Sequence, residues 1–409
     1  MKRLNVFFHK SEKEKSLVGI LAHQNKKVFF EYDKSFLKNP LWLSPYKLPP
    51  TQTFHEHKDT KYLEIFGLFD DSLPDGWGRL LMDRFLRKKN IDTDNISALD
   101  RLSFLGSTTM GALTYEPSEK HDKSSNTTNL RYLAQQSIQI LKGERSEALQ
   151  QLFEIGGSPQ GARPKVLVGV NNNKIISGTD ELPVGYEHWI IKFNSLNDFE
   201  DSGAVEYTYS LMAKDAGIIM PETRLFQTDQ GERFFGIKRF DRKDNKRYHV
   251  HTLGGLTHSY FRLPECSYEV LLKTTLDLTK NRQDLIKAYK QMIFNVVANN
   301  RDDHVKNFSF MFNDDCEWTI TPAYDITYSN GPGGEHSMDI SGEGKSPGQK
   351  HVFELGREIG LSKKEIAPCI EQITSIVSQW SKYAQEVGIS KKTSKHIQKK
   401  IDPNLARFK

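Results

Sequence analysis

The residues with the clearest chemical potential lie in the stretch NNRDDHVKNFSFM and in the later TPAYD. Asp302 is followed five positions later by Asn307, and Asp325 comes after a predicted strand, turn and strand. Phosphoryl transfer from ATP to a hydroxyl needs Mg²⁺ at the phosphates and a carboxylate near the attacking oxygen. Mg²⁺ prefers oxygen ligands from carboxylates, amides, phosphates and water. The order therefore predicts Asp302 as the base or orienting carboxylate, and Asn307 and Asp325 as metal ligands.

Two alternatives stay open at this point. Asp303 directly follows Asp302, and spacing alone allows either aspartate to be the base. Lys306 is a candidate to neutralise the γ-phosphate. The non-functional alternative is that Asp-Asp-His merely ends the helix that VVANN closes.

The second candidate is the glycine-rich stretch GGSPQGARPKVLVGV. Gly156, Gly157 and Gly161 would let backbone amides approach phosphates, and Lys165 would reach an anion from the following strand. The order G-x-x-x-x-G-K-[ST] is absent, so this is not a Walker A loop. The alternative is a simple turn before a hairpin.

The third candidate is a pair, Lys192 in the strand-like IIKFNS and Glu206 in the next predicted helix. A strand lysine held by a helix glutamate is how kinases contact the α- and β-phosphates of ATP. The alternative is a lysine that points to solvent.

The fourth candidate is the stretch GIKRFDRKD, which follows a predicted strand. Backbone groups near Lys238 and Phe240 are expected at an adenine edge, and Asp241 at a ribose hydroxyl. The alternative is a strand end with surface charges.

The elements that must position these residues form two kinds of region. Strand-like runs dominate up to about residue 241, among them hairpins in KVLVGVNNNKIISG and in ETRLFQTDQGERFFGIK. Mostly helical patterns follow, with two helices expected at the C-terminus. Asp75 is predicted to cap the helix in PDGWGRLLMDRFLRKK, and Ser202 the helix that Gly217 ends. A polar loop is expected over about 118–129.

The composition narrows the class of protein. The 409 residues include 57 Lys+Arg and 52 Asp+Glu, a formal net charge of +5. Residues 391–409 hold seven of the basic residues and one acid, a charge of +6, which leaves residues 1–390 at about −1. A nucleic-acid binder that is basic over its whole body is therefore excluded. This tail reads as a solvated helix, with a phosphate patch or an acidic partner as alternatives. No apolar run is long enough to span a bilayer, and three widely spaced cysteines predict free thiols in a reducing cytoplasm.

The motifs together resemble the HipA family, the serine/threonine kinase toxins of bacterial toxin–antitoxin modules. The matching stretches cover roughly residues 60–330: LPDGWGRLLMDR, RLSFLGSTTMGALTYEP, GGSPQGARPK, IIKFNS, VEYTYSLMAKDAGI, KRFDR, DDHVKNFSF and TPAYDITYS.

The resemblance implies an α+β, two-lobed protein-kinase-like fold. Its parts would be an N-terminal HipA-type subdomain, a kinase N-lobe with the phosphate loop, ATP lysine and hinge, and a helical C-lobe with the catalytic and metal-binding loops and the basic tail. The expected boundaries are 1–117, 118–241 and 242–409.

The resemblance also implies roles for individual residues. Asp302 would be the catalytic aspartate, Asn307 and Asp325 the Mg²⁺ ligands, and Ser158 an autophosphorylation site whose phosphate expels its loop and switches the kinase off. Asp303 stands where a glycine often follows that aspartate. The expected ATP-binding residues are Gly157, Gly161, Ala162, Lys165, Lys192, Glu206, Lys238, Arg239, Phe240, Asp241, His304 and Lys306.

The implied cofactors are ATP and Mg²⁺, and the implied location is the cytoplasm, with no membrane contact. The implied partners are a small helix-turn-helix antitoxin, operator DNA reached mainly through that antitoxin, and a protein substrate such as an aminoacyl-tRNA synthetase. Two alternatives remain: a catalytically weak kinase fold that acts as an antitoxin-binding co-repressor, and a small-molecule kinase.

Overall fold

The computed structural model describes residues 2–51, 53–59, 61, 63–118, 128–178 and 181–409. The strands are β1 (Lys2–Ser11), β2 (Glu14–Gln24), β3 (Lys27–Tyr32), β4 (Phe54–Glu56), β5 (Leu113–Glu116), β6 (Lys165–Asn171), β7 (Lys174–Ser177), β8 (Glu187–Lys192), β9 (Thr223–Gln227), β10 (Arg233–Lys238), β11 (Arg242–Lys243), β12 (Lys246–Arg247), β13 (Val250–Thr252), β14 (Ser309–Phe312) and β15 (Trp318–Ile320). The helices are α1 (Gly67–Asp70), α2 (Gly76–Lys88), α3 (Ala98–Leu105), α4 (Leu130–Leu141), α5 (Leu149–Gly156), α6 (Ser202–Asp215), α7 (Leu253–Thr257), α8 (Tyr268–Thr279), α9 (Arg282–Val297), α10 (Gln349–Glu358), α11 (Lys363–Val377), α12 (Trp380–Val387) and α13 (Lys391–Ala406). Short 3-10 turns lie at Phe36–Lys38, Thr93–Asn95 and Pro332–Gly334.

The chain divides into two compact units. The first unit consists of residues 1–198, 226–251 and 255–258, and the second of residues 199–225, 252–254 and 259–409. The predicted α+β class is confirmed, because the first unit holds the large sheets and the second is mostly helical. The three-part division at 117 and 241 stays a prediction, and α6, which it assigned to the middle part, belongs to the second unit. Of the expected loop at 118–129, residues 119–127 lie outside the described residues.

The first sheet of the first unit has the order β4-β3-β2-β1-β5, with antiparallel neighbours. In β1, Leu4, Val6 and Phe8 are buried and alternate with more exposed residues, so one face of the strand lies on the core. Phe30 of β3 contacts Phe69 of α1, with ring centroids 5.0 Å apart. This contact packs a helix against the sheet and closes that core.

The second sheet has the order β7-β6-β8-β10-β9. Both predicted hairpins are confirmed, and Gly231 adopts the positive φ of +90° in the turn between β9 and β10. One face of the sheet packs on α2, α4 and α5, where the rings of Phe85 and Phe153 stack at 4.5 Å. Large apolar side chains buried there each contribute about 1.5–3 kcal/mol to folding. That face is therefore structural, and the opposite face carries Lys165 and Lys192.

The core of the second unit is built by helices. Ser267 caps α8 and Asn281 caps α9, each accepting a backbone N–H with its side chain. The rings of Tyr209 in α6 and Trp380 in α12 lie 5.5 Å apart in the interior. The hairpin of β14 and β15 interrupts the helices, as predicted, and the segments before and after it carry Asp302 and Asp325.

Two details of the predicted helices are wrong. Ser202 is the first helical residue of α6, and Asp201 occupies the capping position without a side-chain bond; Gly217, with φ +76°, follows the end as expected. The C-terminal region contains α10 to α13 rather than two helices. Gly360 and Gly388 take positive φ after α10 and α12, which breaks the continuous apolar periodicity into shorter pieces.

The basic tail forms α13, which lies on the second unit through one face. Ile397 and Ile401 are buried, whereas the lysines at 391, 392, 395, 399 and 400 are exposed. Among the described residues, no helix combines the length and the apolar character that a bilayer crossing requires.

Candidate active-site elements

The loop between α9 and β14 displays Asp302 at the surface of the second unit. The Asp302 side chain is 57% exposed. Asn307 closes the loop: its backbone N–H donates to the His304 carbonyl at 2.9 Å, and its side-chain Nδ2 donates to the Asp302 carbonyl at 2.6 Å. The spacing of five residues thus forms a turn in which the amide of one residue fixes the backbone of the other.

The segment after β15 brings Asp325 to the same loop. Asp325 has φ +52°, an uncommon value for a residue with a side chain. Asn300 Nδ2 donates to the Asp325 carbonyl at 3.4 Å, and the backbones of Asn299 and Arg301 bond to Ser329 on both sides. The two segments that carry the predicted metal ligands therefore run side by side within one unit.

Asn307 and Asp325 suit a Mg²⁺ ion that also binds substrate phosphates better than a metal ion held by protein side chains alone. Among the described residues, no group of three or more His, Cys, Asp and Glu side chains is placed to hold a metal ion. Mg²⁺ usually keeps several waters and is held by one or two carboxylates together with substrate phosphates. One carboxylate from Asp325 and one amide from Asn307 are consistent with that mode of binding.

The two neighbouring aspartates have opposite environments. Asp303 is buried, with its side chain fully covered. Its Oδ2 accepts the hydroxyl of Tyr268 at 2.6 Å and Nδ1 of His336 at 2.7 Å, and its Oδ1 accepts the backbone N–H of Ser337 at 2.8 Å. Only the Asp302 carboxylate is open to a substrate.

His304 lies beside Asp302 and shares one aromatic neighbour, Phe261, with Lys306. His304 Nε2 is 3.9 Å from a carboxylate oxygen of Asp302, and its ring centroid is 5.4 Å from that of Phe261. The Lys306 ammonium lies 5.1 Å from the centre of the same ring. Tyr324 holds the Lys306 carbonyl by a 2.7 Å bond, which fixes the backbone of this lysine.

In the first unit, the glycine-rich loop after α5 is anchored to the start of α2. Ser158 is 5% exposed. The Gly161 N–H donates to the carboxylate of Asp75, and the Gly161 carbonyl accepts the N–H of Trp77 at 3.0 Å. A side chain at Gly78 would meet the Gly157 carbonyl at 2.7 Å, so α2 and the loop are in close backbone contact.

Gln160 supplies a second anchor for the same loop. Its amide lies 3.3–3.5 Å from the carbonyls of Asp70, Asp71 and Leu73, which follow one another around the end of α1. Lys165 donates in turn to the Gln160 carbonyl. The loop is thus held by its own backbone and by the N-terminal part of the chain.

Two predicted phosphate contacts face each other across strands. Lys165 of β6 pairs with Lys192 of β8, and Lys192 pairs with Phe235 of β10. Directly paired residues share a face of the sheet, so the two lysines bring like charges together, which is unfavourable without an anion or another partner. The Lys192 ammonium lies 5.6 Å from the centre of the Phe235 ring. Glu206 is buried in α6 of the second unit, and the predicted Lys192–Glu206 pair stays a prediction.

The predicted hinge continues β10. Lys238 forms an ion pair with Glu187 across the strands, and the Arg239 N–H donates to the His188 carbonyl at 2.8 Å. Phe240 is partly buried. Burial first, and then the charge of Arg239, lower the pKa of His188 to about 4, so this histidine is neutral near pH 7.

Asp241 lies in a different environment from the one expected of a ribose contact. Its carboxylate is buried and accepts bonds from Arg239 at 2.9 and 2.7 Å, from Arg242 at 2.7 Å and from the Gly111 N–H at 2.8 Å. Burial would raise the pKa of this carboxyl, but the two guanidinium groups outweigh burial and hold the pKa well below its usual range. These bonds tie the strand end to the segment before β5.

Several residues that contact these sites were not predicted as site residues from the sequence. Asp75 was expected to cap α2 and occupies that position, but its carboxylate serves the loop instead of the helix. His336 and Tyr268 lie far from Asp302 in sequence and reach Asp303 only through the fold. Their signal was indirect: an aspartate beside a catalytic aspartate needs partners once it is buried.

The sheet-bearing first unit and the helical second unit, whose α9–β14 loop carries Asp302 and Asn307, define a protein of mixed α and β structure. Comparison with known proteins places it more narrowly. Residues 6–116 match the family model of the HipA N-terminal domain, and residues 157–380 match that of the HipA-like C-terminal domain. The chain belongs to the HipA family.

Individual relatives are distant in sequence. The HipA chain in the Shewanella oneidensis complex of HipA, HipB and operator DNA is 16% identical, with a TM-score of 0.71 over 99% of this chain and 96% of that one. A protein named "Putative kinase Y4dM" from Sinorhizobium fredii is 25% identical over 155 residues. That match spans 34% of this chain and only about a third of the relative, 36%.

Proposed function

We propose that the protein is an ATP- and Mg²⁺-dependent serine/threonine protein kinase that acts as the toxin of a bacterial toxin–antitoxin module. The observation that carries the proposal is the exposed Asp302, fixed by Asn307 and held beside the segment of Asp325. Membership of the HipA family supports it.

The three residues of the second unit have distinct proposed roles. Asp302 accepts or orients the proton of the attacking hydroxyl, because its carboxylate is open and its backbone is fixed. Asn307 and Asp325 supply an amide and a carboxylate oxygen for Mg²⁺, which when bound neutralises charge on the phosphates. Lys306 adds a positive charge to the loop of Asp302, and His304 lies within reach of the same site.

The nucleotide contacts of the first unit are proposed on the sheet face that carries Lys165 and Lys192 and on the loop. Lys165 and Lys192 provide paired positive charges for phosphates. Backbone amides of the loop at Gly157, Gly161 and Ala162 are the further donors. The adenine edge is proposed at the backbone of 238–240, and Asp241 is left out, since its carboxylate is buried among arginines.

We further propose that Ser158 is phosphorylated by the kinase itself and that this releases the loop. Ser158 is buried in the glycine-rich loop, which the Asp75 carboxylate anchors at Gly161. A phosphate brings nearly two negative charges and three acceptor oxygens into this packed region. The charge would repel Asp75, and the loop could not keep its present packing.

The proposed partner is a helix-turn-helix antitoxin that brings the complex to operator DNA. Support comes from the Shewanella structure, in which HipA was solved with HipB and operator DNA. The proposed substrate is a protein of the translation machinery, such as an aminoacyl-tRNA synthetase, and the proposed location is the cytoplasm.

The test is incubation of the purified protein with γ-labelled ATP and Mg²⁺, followed by phosphopeptide mapping. We expect label on Ser158 in wild type and none in Asp302→Asn. Asp315→Asn is the matched control, because Asp315 is an exposed aspartate in the β14–β15 turn. It should label like wild type.

Two other outcomes would redirect the proposal. Folded protein that carries no label but still binds the antitoxin would favour a co-repressor. ATP turnover that depends on a metabolite, with no protein labelled in a lysate, would favour a small-molecule kinase. Phosphate label on purified Asp302→Asn protein, free of wild type, would contradict the catalytic role of Asp302.

A further inference from the structure

A buried polar network lies beneath the exposed Asp302 loop in the second unit, and it begins at Asp303. The Asp303 carboxylate accepts three bonds, from Tyr268, His336 and the backbone of Ser337. A buried carboxylate without partners would be very costly, so these donors fix its position. Since Asp302 is the adjacent residue, a fixed Asp303 also limits the directions in which Asp302 can point.

The same network continues to the segment of Asp325. Asn295 Nδ2 donates to the Tyr268 hydroxyl at 3.0 Å, and Asn300 Nδ2 lies 3.0 Å from Asn295 Oδ1. Asn300 Nδ2 also lies 3.4 Å from the Asp325 carbonyl. Asn295 and Asn300 are each 2% exposed or less, so the chain of bonds is shielded from water. One connected set of side chains therefore reaches both the base segment and the metal segment.

The network also fastens residues 331–345, which follow Asp325 in sequence. His336 and Ser337 bind Asp303 directly, and the Ser337 hydroxyl donates to the Arg301 carbonyl at 3.1 Å. Arg301 donates to the carbonyls of Gly334 and Lys345. Both residues that flank Asp302 are thus bound to the same glycine-rich segment.

We propose that Asp303 and His336 are positioning residues that hold Asp302 and Asp325 in register and keep residues 331–345 docked against the catalytic loop. The proposal rests on the proposed kinase function for its catalytic meaning. Neither residue touches a substrate: both side chains are 1% exposed or less. Their effect on phosphoryl transfer is exerted through Asp302 and Asp325.

The choice of variants follows from the direction of each bond. Asp303→Ala removes all three acceptor contacts, whereas Asp303→Asn keeps an acceptor oxygen for the Ser337 N–H and an amide of the same shape beside Tyr268, whose hydroxyl can accept as well as donate. His336→Leu removes the donor, whereas His336→Asn keeps an N–H near the position of Nδ1. Each disruptive variant therefore has a conservative partner at the same site.

Steady-state kinetics test the positioning role. We expect Asp303→Ala and His336→Leu to lower kcat by about 30- to 100-fold, since a displacement of about 1 Å costs that much. The KM for ATP should rise by a smaller factor than kcat falls, because the proposed phosphate lysines lie in the first unit and only the Mg²⁺ ligand Asp325 is held by the network. Asp303→Asn and His336→Asn should restore kcat to within about fivefold of wild type.

Amide hydrogen exchange provides a readout that does not depend on activity. In Asp303→Ala and His336→Leu, the peptides covering 300–309 and 331–345 should exchange at least about tenfold faster, because local opening no longer breaks these bonds. Tyr289→Phe is the matched control. It removes a buried 2.8 Å bond from a tyrosine hydroxyl to the Val352 carbonyl, outside the network. It should leave exchange in both peptides unchanged.

The results separate the two proposals. Faster exchange with unchanged kcat would overturn the positioning role and leave the network purely structural. Unchanged exchange in Asp303→Ala would overturn the anchoring itself, whatever the activity. A wild-type protein that transfers no phosphate would contradict the proposed function, and exchange in the same variants would still decide whether Asp303 and His336 hold the loop.

Discussion

In each unit a buried aspartate, Asp241 or Asp303, lies next to a segment with a proposed chemical role, and the two carboxylates are satisfied in different ways. In the first unit, Asp241 is surrounded by two guanidinium groups and one backbone N–H. In the second unit, Asp303 accepts hydrogen bonds from the Tyr268 hydroxyl, the His336 ring and the Ser337 backbone N–H. An arginine can neither lose its charge nor accept a hydrogen bond. A phenol hydroxyl and a neutral imidazole can each accept one. The first site depends on charge balance, and the second depends on geometry.

The largest expected effect is from removal of the Asp241 carboxylate. Asp241→Ala leaves Arg239 and Arg242 buried without their counter-charge, which should lower the free energy of unfolding by about 3–5 kcal/mol. Asp303→Ala leaves the Tyr268 hydroxyl, the His336 ring and the Ser337 N–H without their acceptor and should cost about 1–3 kcal/mol. Urea unfolding of both variants, followed by tryptophan fluorescence, measures the difference. Equal losses would contradict the distinction between the two sites.

Asparagine substitutions sharpen the comparison. Asp241→Asn keeps the shape but not the charge, so the arginines remain uncompensated and a loss of about 2–3 kcal/mol is expected. Asp303→Asn should cost about 1 kcal/mol or less, because the amide keeps the shape and the Tyr268 hydroxyl can accept as well as donate. The same unfolding assay decides the matter. A larger loss at 303 than at 241 would show that the charge of Asp303 is required.

A smaller effect than removal of the Asp241 carboxylate is expected from pH, through His188 beside the arginines of the Asp241 site. The pKa of His188 is about 4, lowered first by burial and then by Arg239. The unfolded histidine titrates near a pKa of about 6.5, so the unfolded state binds the proton first. The stabilising effect is complete above about pH 6.5 and is lost as pH falls towards 4, by up to about 1.4 kcal/mol per pH unit. Between pH 7.5 and pH 5.5, the free energy of unfolding should decrease less in His188→Gln than in wild type.

The elements were predictable from local patterns, but the partners of the buried charges were not. Alternation and periodicity identified β1 and α8, because each buries one regular face, and β6 was recognisable as a short apolar run that is buried on both faces. Neighbouring aspartates look alike in sequence, and only the packing of α8 and of residues 331–345 distinguishes Asp303 from Asp302. The number of C-terminal helices was missed for a related reason, since a glycine can either interrupt a helix or end it.

The expected roles of Asp302, Asn307 and Asp325 illustrate how far spacing can lead. Spacing identified the residue types that Mg²⁺ and a hydroxyl proton require, and these segments do lie together in one unit. In sequence, Asp241 looks like an exposed aspartate that could bind a ligand. Spacing could not predict that two arginines enclose it. Long-range ion pairs depend on the register of strands and loops, which local sequence does not contain.

The uncapped start of α2 has a consequence for the movement of the glycine-rich loop. Asp75 occupies the capping position, but its carboxylate bonds to Gly161 and leaves the first turn of the helix without a side-chain cap. If the loop departs, the carboxylate can turn to the free N–H groups of α2, where an aspartate cap contributes about 1 kcal/mol. One hydrogen bond would then be exchanged for another. The helix would recover part of the free energy that the departing loop gives up, so the loss of this one anchor of the loop is offset within α2 itself.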